Sequence, residues 1–132
     1  MAILQSARPS AVVVVDDDEA MRDSLMWLIG SCGHQAIGYA SGPSYLESAA
    51  GADDPDCVIL DIHMPEMSGL ELYRILKARR PDLPVIFITG YPEQGLAQSA
   101  RSLNAQGFFT KPLDTEALLG CLERILAPAS ND

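Results

Sequence analysis

The chain has 132 residues, nine Lys+Arg against eighteen Asp+Glu, and a formal net charge of −9. That length suits one domain able to bury a core, and 48% apolar with 20% charged residues argues against disorder. The acidic balance argues against direct binding of nucleic-acid phosphates, and no apolar stretch approaches the roughly 20 residues a membrane helix needs.

Residues 1–9 have no charged start followed by a long apolar run, so they read as a flexible lead-in rather than a signal peptide. Ala11 to Val15 contains four consecutive valines, a strand buried on both faces, and it runs straight into Asp16-Asp17-Asp18. Residues 18–32 place Met21, Leu25, Leu28, Ile29 and Cys32 at helical spacing, with Gly33 as the stop and Trp27 off the stripe, partly exposed. A weaker strand, His34 to Ala40, precedes a helix opened by Ser41-Gly42-Pro43 that runs to about Ala50. Cys57 to Leu60 is the second strong strand and ends on Asp61.

Ser68-Gly69-Leu70-Glu71 has capping-box spacing, and Leu70, Tyr73, Leu76 and Lys77 carry a helix to Arg80. The basic cluster Lys77 to Arg80 suits the negative end of that helix dipole. Val85 to Ile88 is a third buried strand ending on Thr89-Gly90, and Pro92 to Leu103 reads as a helix poor in large apolar residues. Gly107-Phe108-Phe109 is a last short strand ending at Thr110-Lys111-Pro112, with Phe109 packed inward and Phe108 facing out. Asp114 caps a final helix with Leu118, Leu119, Leu122, Ile125 and Leu126 inward, and residues 128–132 form a tail or truncated linker. Cys32, Cys57 and Cys121, odd in number and unevenly spaced, read as buried free thiols in a reducing cytoplasm.

Alternating strands and helices over residues 10–127 imply an α/β domain: a doubly wound five-stranded parallel sheet with five helices. In such a sheet all strands end on one edge, so Asp16, Asp17, Asp61, Thr89 and Lys111 converge there. Two carboxylates ~4 Å apart repel by about 4 kcal/mol at an effective dielectric near 20. A hard divalent cation offsets this, so Asp17 and Asp61, with Asp16 directly or through water, suit Mg²⁺. Asp61 as nucleophile, Lys111 as a point charge and Thr89 as a hydroxyl donor would then suffice for phosphoryl transfer, which is mostly positioning and charge stabilisation. Asp18 reads as a helix cap.

Val14-Val15-Asp16-Asp17-Asp18, Leu60-Asp61-Ile62-His63-Met64-Pro65-Glu66-Met67-Ser68-Gly69, Ile88-Thr89-Gly90 and Phe109-Thr110-Lys111-Pro112 resemble the receiver domain of two-component response regulators, most closely the FixJ-type subgroup. The resemblance implies a CheY-like (flavodoxin-like) fold with strand order 2-1-3-4-5. It makes Asp61 the phosphoacceptor of a sensor histidine kinase, with Mg²⁺ held by Asp16, Asp17, Asp61 and the His63 backbone carbonyl. Thr89 and the aromatic Phe108 would be switch residues, Lys111 the phosphate's partner, and Lys111-Pro112 a cis bond. The face of the fourth helix, fifth strand and fifth helix would then control an output, transcription through a DNA-binding domain absent here, with phosphorylation-dependent homodimerisation a further possibility. Such a domain is a phosphoacceptor switch, not an enzyme.

Gly107 departs from an acid common in the family, Asn104 fills a usual glycine position, and His63 and Tyr91 occupy variable positions thought to tune dephosphorylation. A Mg²⁺-dependent phosphohydrolase is the rival, but it needs a carboxylate where His63 stands. A non-phosphorylated binding module is at odds with the intact acidic set.

Overall fold

The structure, a computed structural model, describes residues 10–49, 54–90 and 102–127. Its strands are β1 (Ala11–Val15), β2 (Gln35–Tyr39), β3 (Cys57–Asp61), β4 (Val85–Thr89) and β5 (Gly107–Thr110). All pair in parallel in the order β2-β1-β3-β4-β5, as expected. Among the described residues there are four helices: α1 (Glu19–Ser31), α2 (Gly42–Ala49), α3 (Gly69–Arg79) and α4 (Thr115–Leu126). The helix expected over 92–103 lies outside the described residues except for Ser102 and Leu103, as do the lead-in and the tail.

Two-residue alternation divides the strands between two cores. Val13, Val15, Val58, Leu60, Val85 and Phe87 face α2 and α3, meeting Tyr45, Leu72, Tyr73 and Leu76. Val12, Val14, Ile59, Ile86 and Ile88 face α1 and α4, meeting Leu25, Ile29, Leu118 and Leu122. Covering both faces explains why β1, β3 and β4 are apolar without alternation in sequence.

The helix ends follow the sequence closely. Asp18 caps α1 by accepting the Ala20 and Met21 N–H groups, and Gly33 stops it at φ 90°. Ser68 and Glu71 form the reciprocal capping box of α3, with bonds of 3.2 and 3.0 Å. Ser68→Ala should therefore cost about 1 kcal/mol, seen as a lower urea midpoint at unchanged slope. Lys77 and Arg80 serve structure too, donating to the carbonyls of Leu83 and Pro55.

Three expectations need correction. Cys32 is exposed, because α1 ends at Ser31 and the chain turns away from the apolar stripe; only Cys57 and Cys121 are buried. Trp27 is 74% exposed, more than its partial packing implied. Phe108 and Phe109 are both half-buried, one against each core, because β5 is an edge strand with neither face fully covered among the described residues. Gly107, at its start, has little room for a side chain: a Cβ would stand 3.0 Å from Cys121 Sγ.

Candidate functional site

The parallel register brings the carboxyl ends of β1, β3, β4 and β5 to one edge. A cleft of about 480 Å³ opens there, lined by Asp17, Asp18, Asp61, His63, Gly90 and Lys111. Single carboxylate oxygens of Asp16, Asp17 and Asp61 all lie within 4.8 Å of one another. Asp16 is fully buried and Asp61 is 4% exposed, whereas Asp17 reaches solvent. Lys111 crosses from the end of β5, its Nζ 3.1 Å from Asp16 Oδ2 and 3.5 Å from Asp61 Oδ2. The bond preceding Pro112 is cis, as the resemblance implied.

The structure brings Asp16, Asp17, Asp61 and Lys111 together, but at different depths. Thr89 is fully buried at the end of β4 and does not line the cleft; its carbonyl accepts the Lys111 N–H at 2.8 Å. Asp16 lies beneath the cleft rather than in its wall. His63 lines it, with its backbone N–H on Asp61 Oδ1 at 3.2 Å. Asp18 lines it as well as capping α1. Phe108 lies with the core on the α2–α3 side of the sheet. His34 precedes β2, at the opposite edge of the sheet from the carboxylates, so the two histidines do not meet.

Two glycine-dependent features were missed. A Cβ on Gly69 would fall 2.3 Å from the Asp61 carbonyl oxygen, because α3 starts hard against the end of β3. Arg22 donates to the Asp16 carbonyl at 2.7 Å. The one available signal for the second was Gly38, a glycine inside a strand, which marks close approach.

The electrostatics are those of a crowded anion site. Burial, then the Asp16 charge, pushes Asp61 up to about 6, against the pull of Lys111 and the His63 N–H. Burial works against the Lys111 ammonium, yet its contacts with Asp16 and Asp61 prevail and raise its pKa. In the unfolded chain Asp61 titrates near 3.8, so between there and about 6 the native state holds the extra proton. Stability then falls as pH rises through that window and stays lowered above it. In chelator near pH ~7.5, Asp61→Asn should stabilise the domain by about 1–2 kcal/mol, allowing for solvent in the cleft. The gain should vanish below about pH 4, which denaturation curves at the two pH values would check.

The donor set fits a hard divalent cation. It offers three hard oxygens, one on the solvent side, and the buried Asp16 Oδ2 has the Lys111 ammonium at 3.1 Å as its partner, one positive charge against three carboxylates.

A parallel sheet in this order, covered on both faces and carrying an acidic cleft at its carboxyl edge, defines a CheY-like α/β domain. Within that class the chain belongs to the response regulator receiver domain family, whose model matches residues 12–123. It is 38% identical over 125 residues to the response regulator protein TodT of Pseudomonas putida, covering 92% of this chain and 53% of TodT. It is 36% identical over 115 residues to the transcriptional regulatory protein FixJ of Azorhizobium caulinodans, covering 87% of this chain and 54% of FixJ. The chain thus spans about half the length of the curated relatives it matches. The chemotaxis protein CheY4 of Vibrio cholerae superposes with a TM-score of 0.80 at 27% identity, covering 89% of this chain and 99% of CheY4. Among the described residues no helix is long and apolar enough to cross a membrane.

Proposed function

We propose that this receiver domain accepts a phosphoryl group on Asp61 from a sensor histidine kinase and passes the change to a downstream output. The observation that carries the reading is the convergence of three carboxylates within 4.8 Å, with the Lys111 ammonium 3.5 Å from Asp61. Asp16, Asp17 and Asp61, with the His63 backbone carbonyl, would hold Mg²⁺, which when bound neutralises charge on the incoming phosphoryl oxygens.

The chain's own groups then divide the work. An Asp61 carboxylate oxygen attacks phosphorus; as the P–O bond forms, the donor's P–N bond breaks and neutral imidazole leaves after taking a proton from solvent. Asp61, pushed up to about 6, is mostly ionised at neutral pH and ready to attack. Lys111 meets one phosphoryl oxygen, and Thr89 would have to turn from its buried site to meet another. That requirement supports a switch role for Thr89, with Phe108 responding on β5. The acyl phosphate carries roughly −1.5 to −2 charge in place of the carboxylate's −1, and it presents three acceptor oxygens beside residues already crowded with acids.

FixJ is a transcriptional regulator, so the output we favour is transcription through a DNA-binding domain outside this chain, with a phosphorylation-dependent homodimer as the intermediate. The net charge of −9 supports leaving nucleic-acid contact to that other domain. Free thiols fit a cytoplasmic setting. The domain acts as a phosphoacceptor, with at most self-catalysed transfer and dephosphorylation, rather than as a turnover enzyme.

Beryllium fluoride with Mg²⁺ tests this as a phosphoryl mimic. Amide NMR should show saturable changes around residues 61, 89 and 111 that need both reagents and reverse with chelator. Changes independent of Mg²⁺, or sustained hydrolysis of small phosphate esters, would overturn the reading, the latter in favour of a phosphohydrolase.

A further inference from the structure

Asp16 is fixed from four directions. Its N–H donates to the Tyr39 carbonyl on β2 at 3.1 Å, and its Oδ1 accepts the Asp18 N–H at 2.9 Å. Its Oδ2 faces Lys111 Nζ at 3.1 Å, and its carbonyl accepts Arg22 Nη1 at 2.7 Å. The first three follow from the sheet and the acidic turn itself. Arg22 is different, because it comes from the side of α1 and has no part in the chemistry above.

Its path is built into the sheet. A Cβ on Gly38 of β2 would stand 3.1 Å from both Cγ and Cδ of Arg22, and 2.5 Å from Met26 Sδ. Glycine inside a strand forfeits packing and stiffness, so it is expected where another group must approach closely. Here the bare backbone lets the Arg22 stem lie across β2 and end on the carbonyl at the root of the acidic turn. The bond is charge-assisted and half-buried, the stronger kind of backbone anchor.

We infer that Arg22, seated on Gly38, is a positioning residue: by holding the Asp16 carbonyl it sets how the Asp16 and Asp17 carboxylates present themselves, and so the cluster's affinity for a divalent cation. The inference rests on the cation site proposed above. Partners that orient metal ligands without touching the metal typically govern affinity by one to two powers of ten. Charge alone predicts the opposite sign. A guanidinium beside three carboxylates opposes a second cation, so deleting it would tighten binding if position did not matter.

That opposition of signs makes the test direct. The full chain is titrated with Mg²⁺ alone by amide NMR, below the melting transition of each variant, and melting in chelator is recorded separately. Arg22→Met, which keeps most of the stem but no donor, should weaken Mg²⁺ binding about tenfold. Arg22→Lys, with an ammonium at the end of a shorter reach, should recover part of that loss. Gly38→Ala should weaken binding by a smaller factor, since Met26 Sδ, 2.5 Å from the new Cβ, must move aside and the Arg22 stem must give way by a few tenths of an ångström. Equal or tighter binding by Arg22→Met overturns the inference. If that variant does not fold, wild-type affinity in both Arg22→Lys and Gly38→Ala overturns it instead. A wild-type chain that fails to bind Mg²⁺ overturns the site reading itself, so the two failures are distinct.

Discussion

Asp61→Asn is expected to abolish modification by acetyl phosphate in the presence of Mg²⁺. Asparagine keeps the shape and much of the hydrogen bonding of the site, so the His63 N–H retains an acceptor. It removes the attacking carboxylate, and an amide oxygen forms no acyl phosphate. With the nucleophile gone, the rate should drop below about one thousandth of wild type. Intact mass would show one added phosphoryl group on the wild-type chain and none on the variant, and peptide mapping would place it at residue 61. A variant modified as fast as wild type would remove Asp61 from the mechanism, and Asp17, the exposed acid of the cluster, would be the next candidate. The same variant is expected to be more stable in chelator, so its melting curve separates loss of modification from unfolding.

Gly69→Ala should produce the largest loss of stability among single-methyl additions near the site. The new Cβ would meet the Asp61 carbonyl oxygen at 2.3 Å and Ile62 Cα at 2.9 Å, both backbone atoms that no rotamer change can clear. The Gly69 N–H also donates to the Ile62 carbonyl at 2.8 Å, so helix and strand cannot separate without losing that bond. Overpacking of this kind costs about 3 kcal/mol, a fall in melting temperature of roughly 6–12 °C for a domain of this size. The clash displaces the backbone that carries the nucleophile, and misplacement of about 1 Å lowers rates by the order of 100-fold. Acetyl phosphate labelling measured well below the melting transition should therefore be slowed on the order of tenfold or more. Normal melting and normal labelling would show that α3 moves aside freely.

The residues that meet at the site were legible because their signals are local. A run of valines closed by acids, a strand ending on Asp61 and a lysine after the last short strand each declare themselves within a few residues. Parallel pairing then leaves the carboxyl ends of those strands one place to meet, and helix caps such as Asp18 and Ser68 depend only on neighbours up to three residues away. Asn104 shows the same economy, taking the left-handed conformation at φ 64° that asparagine tolerates.

Burial was harder to read, since it depends on which elements cover a residue. Cys32 sits at helical spacing but outside the helix, and Phe108 and Phe109 share an edge strand whose two faces are each half covered. The same limit separates Asp16, sealed below the cleft, from Asp17 in its wall, though they are adjacent in the chain.

The sequence by itself determined the strands, the order of helices, the family and the residues that meet at the carboxyl edge, because periodicity, caps and strand ends are encoded by near neighbours. Only the tertiary structure decided which acid is buried, why residue 69 has no side chain, and that Arg22 crosses Gly38 to hold Asp16. Those depend on contacts such as β3 with the start of α3 and β2 with α1, where the spacing is set by excluded volume once the sheet has closed.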